Sequence, residues 1–149
     1  MPGWMRRPTT LRHFTVEEAL QLHREQWFQG KHKGQPERYY FHLFQERDLS
    51  KGFVQACIPV DSISAIATSE ERVDRYAPIL QAQGTMGPSW GKFAKRMSRR
   101  GRGAYVFLAD GNHRALAAMK LGRSCIEVIM PTVDYREWLE AAKALTPAG

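Results

Sequence analysis

Residues Val106–Gly122, VFLADGNHRALAAMKLG, decide how this chain is read. The apolar run Tyr105-Val106-Phe107-Leu108-Ala109 has the length and composition of a buried strand, and it stops at the polar turn Asp110-Gly111-Asn112. Past the turn, Leu116, Ala117, Lys120 and Leu121 recur at helical spacing. A strand, a tight turn and a helix build an anion site. The first amides of the helix have no intrahelical acceptor and sit at the positive end of its dipole. Gly111 lets the backbone come close to a ligand, while His113 and Arg114 add charge-assisted donors. Phosphate is the first ligand this pattern suggests. The same spacing also fits a plainer arrangement, in which Asp110 caps the helix and Arg114 is solvated on its surface.

The string Gly111-Asn112-His113-Arg114-Ala115-Leu116-Ala117 fits the GxxRxxA motif with which ParB-family partition proteins contact a nucleotide triphosphate. Asp110-Gly111-Asn112-His113-Arg114 also resembles the DGxHR turn of the ParB-like free serine kinases. Sulfiredoxins share that fold, and their phosphate turn reads Gly-Cys-His-Arg. Here the cysteine position is Asn112, whose amide cannot serve as the thiol nucleophile, so a sulfiredoxin-type reductase is excluded. The resemblance spans about Val54 to Met130. Cys57-Ile58-Pro59-Val60-Asp61-Ser62-Ile63 is similar to the opening strand and turn of such domains, and Ile126-Glu127-Val128-Ile129-Met130-Pro131 to the strand after the motif helix. Val133-Asp134-Tyr135 is similar to the ending of the kinase branch. The resemblance implies an α/β domain of the ParB/sulfiredoxin type, with a small mixed sheet and flanking helices over residues 53–149. An N-terminal helical, aromatic-rich extension over residues 1–52 precedes it.

Composition fits one soluble domain. The 149 residues are 43% hydrophobic and 25% charged, enough for one core and one extension. No apolar stretch approaches the roughly 20 residues that span a bilayer, and the first 14 residues lack the apolar region of a signal peptide. The expected location is the cytoplasm, with no membrane partner. Cys57 and Cys125 fall in predicted strands without CxxC or His/Cys ligand spacing, so buried reduced thiols are expected rather than a disulfide or a zinc site.

Caps and breakers organise the rest. Met1–Thr10 reads as a leader, and Thr15-Val16-Glu17-Glu18 as a capping box opening a helix with Val16, Leu20, His23 and Trp27 on one face, closed by Gly30. Tyr39, Tyr40, Phe41 and Phe44 form an aromatic group expected to be core or a docking face. Ser69-Glu70-Glu71 starts a helix with Val73, Tyr76, Ala77 and Leu80 on one side, which Pro78 is expected to kink or divide. Leu108 and Val128 belong to strands on either side of the motif helix, predicting a β-α-β unit. Asp134 and Glu137 are expected to cap a last helix, Tyr135–Leu145, with Trp138, Leu139 and Ala142 inward.

Charge is concentrated in one place. Between Gly91 and Gly103 stand Lys92, Lys95, Arg96, Arg99, Arg100 and Arg102 with no acid, leaving 16 basic and 15 acidic residues elsewhere out of a net charge of +7. A short amphipathic helix there, with Trp90, Phe93 and Met97 on its apolar side, would present a basic patch suited to DNA or RNA. The alternatives are a solvated arm, or charge support for a small phosphate ligand.

Phosphoryl transfer needs a phosphate cradle, a divalent ion and a carboxylate near the acceptor. The cradle is Asp110, Gly111, Asn112, His113 and Arg114, and Asp110 is the candidate ligand for Mg2+ carried by a nucleotide. By analogy with the kinase branch, Glu70 or Glu71 is the candidate base, although both also suit the first turn of a helix. His113 is the remaining candidate catalytic group. No GxSxG elbow, Walker loop or HxxxH spacing supports another class of enzyme. Two functions follow as expectations. The first is a ParB-like domain binding a nucleotide or other phosphate ligand, as a small phosphotransferase, a nucleotidase or a nucleotide-gated switch; the second is a ParB-like nucleic-acid-binding protein or nuclease. A full partition protein is not expected, because only 18 residues follow Pro131.

Overall fold

Alternating and continuous apolar runs of the sequence become strands, and the runs of helical period become helices. The computed structural model describes residues 11–28, 44, 47–65, 69–83, 87–94 and 105–145. In chain order these form β1 (Arg12–Phe14), α1 (Val16–Phe28), β2 (Phe53–Pro59), a 3₁₀ turn (Val60–Ser62), β3 (Ile63–Ser64), α2 (Glu70–Gln83), β4 (Ser89–Ala94), β5 (Tyr105–Asp110), α3 (Asn112–Lys120), β6 (Cys125–Pro131) and α4 (Thr132–Leu145). Among the described residues, six strands make one mixed sheet in the order β1-β2-β6-β4-β5-β3. The class is α/β, as expected.

Strand alternation distributes the core over both faces of this sheet. On one face, Val54, Ala56 and Ile58 of β2 and Ile126, Val128 and Met130 of β6 join Val73 and Leu80 of α2, Ala115, Ala117 and Ala118 of α3 and Trp138 of α4. On the other face, Phe53, Ile129 and Trp90 pack with Ala19 of α1 and with Phe44. Phe44 meets Phe53 edge to face at 5.6 Å, which makes it core; Tyr39, Tyr40 and Phe41 lie outside the described residues, as does Met1–Thr10. The segment before Phe53 therefore supplies an edge strand, β1, paired antiparallel with β2, and a helix that covers one face.

The caps behave as the sequence indicates. Thr15 Oγ1 accepts the Glu18 amide at 3.1 Å and Glu18 Oε1 accepts the Thr15 amide at 3.0 Å, a reciprocal box. Ser69 Oγ accepts the Arg72 amide at 3.2 Å and opens α2. Pro78 does not divide α2, which runs unbroken from Glu70 to Gln83. Its ring is on the exposed side, while Val73 and Leu80 on the other side anchor both halves of the helix in the core.

Four further expectations are corrected. Residues 89–94 form a strand rather than the start of a basic helix: the three-residue spacing of Trp90 and Phe93 puts them on opposite faces of β4, each in a different core. The strands flanking α3 do not make a parallel β-α-β unit, because β4 lies between them, antiparallel to β5 and parallel to β6. Asp134 does not cap a helix starting at Tyr135. Helix α4 starts at Thr132, and Asp134 is fully buried, its Oδ2 accepting the Phe93 amide at 2.9 Å and lying 3.4 Å from Arg47 Nε.

The cysteines are not reduced thiols. Cys57 of β2 and Cys125 of β6 form a disulfide with a Cα separation of 5.3 Å. Cys57 stands opposite Glu127 and Cys125 opposite Pro59, so the bond runs diagonally across the antiparallel ladder. Both positions belong to the face whose alternate residues include Gln55 and Glu127, away from the core around α3, and both cysteines are half-buried. Sequence spacing carried no sign of this pairing because register, not local motif, brings the two together. No helix among the described residues is long and apolar enough to cross a membrane.

Candidate functional site

Strand β5 ends at Asp110, and the chain turns into α3 through Gly111, whose φ of 83° and ψ of 22° lie in the left-handed region. A residue with a Cβ pays a steric penalty there, and glycine does not. Hydrogen bonds within and across the turn hold its shape. The Gly111 amide donates to Asp110 Oδ1 at 2.8 Å, and Asn112 Nδ2 donates to the Leu108 carbonyl at 3.2 Å. The Gly111 carbonyl accepts the Ala115 amide at 3.0 Å and the Ser89 hydroxyl at 3.0 Å. Buried Ala115, Ala117 and Ala118 let the helix sit close on the sheet.

Arg114 folds back over this turn. A Cβ built on Gly111 would stand 2.8 Å from Arg114 Nη2, and 2.5 Å and 2.9 Å from Ser89 Oγ and Cβ. The guanidinium therefore lies over the α-carbon of the turn's glycine, beside the start of α3, where an anion would meet both a cation and the helix dipole. His113 and Arg114 are half-buried. The structure thus brings together Asp110, Gly111, Asn112, His113 and Arg114, and adds Ser89 from β4.

Glu70 and Glu71 stand at the head of α2. Strand β3 runs parallel to β5, but the first turns of α2 meet Lys120, the last residue of α3, at the end of that helix away from Gly111. The two helices pack side by side, with Lys120 ion-paired to Asp74 and Arg123 Nη2 donating to the Leu80 carbonyl at 3.4 Å. Glu70 is exposed and adds to the negative field that raises the Lys120 pKa, behind the dominant hydrogen bond that Lys120 donates to Asp74. Glu71 meets Arg75 at 3.4 Å on the helix surface.

Of the basic stretch, Lys92 lies on β4, half-buried, where its charge acts on Asp134. Lys95, Arg96, Arg99, Arg100 and Arg102 lie outside the described residues, between Ala94 and Tyr105, which pair with each other. No cluster of three or more His, Cys, Asp or Glu side chains able to hold a metal ion occurs among the described residues. Asp110 offers one carboxylate, with one oxygen already engaged by Gly111. Such a donor set fits Mg2+ only where the ligand's own phosphates complete the coordination.

Sequence reasoning missed three residues. Ser89 touches the turn from a neighbouring strand, and its local sequence, Gly87-Pro88-Ser89, signals only a break. Arg47 and Asp134 grip the same residue from its two sides: Arg47 Nη2 donates to the Phe93 carbonyl at 3.0 Å while Asp134 accepts the Phe93 amide. Burial pushes the Asp134 carboxyl above its ordinary value, against the lowering effects of the Phe93 amide and of Arg47. Comparison with protein-family models gives no match, and comparison with curated proteins gives none.

Proposed function

We propose that the turn Asp110–Arg114 binds the phosphate group of a nucleotide. The observation that carries this reading is the left-handed Gly111 at the head of α3 with the Arg114 guanidinium folded over it. That arrangement puts a fixed cation beside the positive end of a helix at the end of a strand. Asp110 would hold Mg2+ brought by the nucleotide, and the ion would offset the repulsion between carboxylate and phosphate. The resemblance of the turn to the ParB-like and free serine kinase motifs supports the same ligand class. On this reading the protein is a small phosphotransferase, a nucleotidase or a nucleotide-gated switch. Where a phosphoryl group moves, His113 is a donor to the phosphate.

A nucleotide ligand also goes with a cytoplasmic location. Disulfides are rare in that compartment, so the redox state of Cys57 and Cys125 in cells tests the location.

The deciding experiment is calorimetry with ATP, ADP and CTP, with and without magnesium, beside DNA and RNA at two salt concentrations. Saturable, magnesium-dependent nucleotide binding supports the reading. Binding of DNA or RNA alone, with a steep salt dependence, favours the competing nucleic-acid function, for which the six cations from Lys92 to Arg102 are the argument.

A further inference from the structure

Ser89, the first residue of β4, is 2% exposed. Its hydroxyl donates to the Gly111 carbonyl, which also accepts the Ala115 amide, so that one oxygen receives a donor from its own helix and a donor from a neighbouring strand. The carbonyl of Gly111 and the amide of Asn112 belong to one planar peptide group. A donor that fixes the oxygen therefore fixes the direction of the N–H on the opposite side of the same plane, and that N–H is the first amide of α3. Ser89 also limits the space over Gly111: its Oγ and Arg114 Nη2 both converge on the position a Cβ would take.

Building on the phosphate reading above, we propose that Ser89 is the positioning residue of this turn, orienting the Asn112 amide toward a bound phosphate and setting the side of Gly111 on which Arg114 rests. It makes no ligand contact itself. The hydroxyl acts through the peptide plane, from a strand anchored in the middle of the sheet between β6 and β5.

The test uses the ¹⁵N-labelled full chain as wild type, Ser89→Ala and Ser89→Thr, titrated with ADP and magnesium. Ser89→Ala is expected to shift the Asn112 amide resonance, to speed its hydrogen exchange, and to weaken ADP about tenfold, the scale of one lost hydrogen bond. Ser89→Thr, which keeps the hydroxyl, restores all three. A role confined to stability would lower the urea midpoint of Ser89→Ala and leave ADP affinity and the Asn112 resonance unchanged; that result overturns the proposal. If the wild type binds no ADP at any magnesium concentration, the phosphate reading fails, and with it the proposed orientation toward a ligand. The Asn112 resonance of Ser89→Ala then shows separately whether Ser89 holds the turn.

Discussion

Breaking the Cys57–Cys125 disulfide perturbs the fold at a point whose cost follows from the chain itself. The bond closes a loop with a sequence separation of 68, and that loop contains β3, α2, β4, β5 and α3, the whole candidate site included. In the chain-entropy account, cross-linking so long a loop removes about 4 kcal/mol of freedom from the unfolded ensemble at 25 °C. The native ladder between β2 and β6, paired from Phe53–Pro131 to Pro59–Cys125, stays in place without the bond, so the effect falls mainly on the unfolded state. For a domain of this size the urea slope is about 2 kcal/mol per molar, which places the midpoint of the reduced protein about 2 M below that of the oxidised one. The assay is urea unfolding followed by far-ultraviolet circular dichroism, on oxidised protein, on dithiol-reduced protein, and on Cys57→Ala/Cys125→Ala. The alanine pair should track the reduced protein and so separate the bond from the packing of the sulfurs. Coincident midpoints for oxidised and reduced protein would refute the reasoning. So would two alkylatable thiols in folded protein after exposure to oxidised glutathione.

Gly111→Ala should cost about 2 kcal/mol, combining the left-handed penalty with the approach of its Cβ to Ser89, and lower Tm by about 4–8 °C. In a Ser89→Gly background the same substitution should cost less, and an unchanged increment in that double-mutant cycle would remove Ser89 as the obstruction. Arg114→Ala should weaken magnesium–nucleotide binding about 10- to 100-fold without unfolding the chain; a folded variant with wild-type affinity takes the guanidinium out of the site. For Asp134 the sign follows from burial, which raises its folded pKa above the ordinary 3.8 of the unfolded chain. The folded state then holds the proton more tightly, so stability falls as pH rises from near 3.8 through the raised value and is level above it. Urea midpoints between pH 3 and 7 should show this fall in the wild type relative to Asp134→Asn, and parallel curves would contradict it.

What the sequence disclosed was local. The strand ending at Asp110, the turn at Gly111 and the helix starting at Asn112 were legible because each rests on neighbours: an apolar run, a glycine, and a change of period from strand to helix. The Thr15–Glu18 box was legible for the same reason. What stayed hidden was register. Nothing in residues 57 and 125 shows that β2 and β6 align them diagonally, and nothing near Ser89 shows that Gly111 lies across from it. Strand β4 was misread because Trp90 and Phe93 stand three apart, a spacing that suits one helix face as well as two opposite sheet faces. Only the presence of a core on each side decides between them. Asp134 was misread because a carboxylate in the first turn of a helix is the usual cap, and its real partner, the Phe93 amide, is 41 residues away in sequence.

Strand β4 is held at both ends by side chains rather than by its ladders alone. At its start Ser89 bonds the turn; toward its end, beyond the β4–β6 pairs at Ser89 and Trp90, the Phe93 amide donates to Asp134 and the Phe93 carbonyl accepts from Arg47. The two attachments have different consequences. Between them β4 pairs with β5 from Trp90–Asp110 to Ala94–Tyr105, with a register shift at Trp90/Gly91, so a disturbance at Phe93 meets several ladder bonds before it reaches Ser89. Gly91 makes that shift compatible with close packing, since a Cβ there would stand 2.9 Å from the Phe107 carbonyl oxygen. The turn is therefore insulated from the Asp134 end of the strand. On the proposed function, loss of the Asp134 carboxylate is expected to change stability, while phosphate affinity is expected to respond to Ser89, Gly111 and Arg114. Separate responses of stability and affinity to these two sets of residues are what a turn carried on a doubly pinned strand requires.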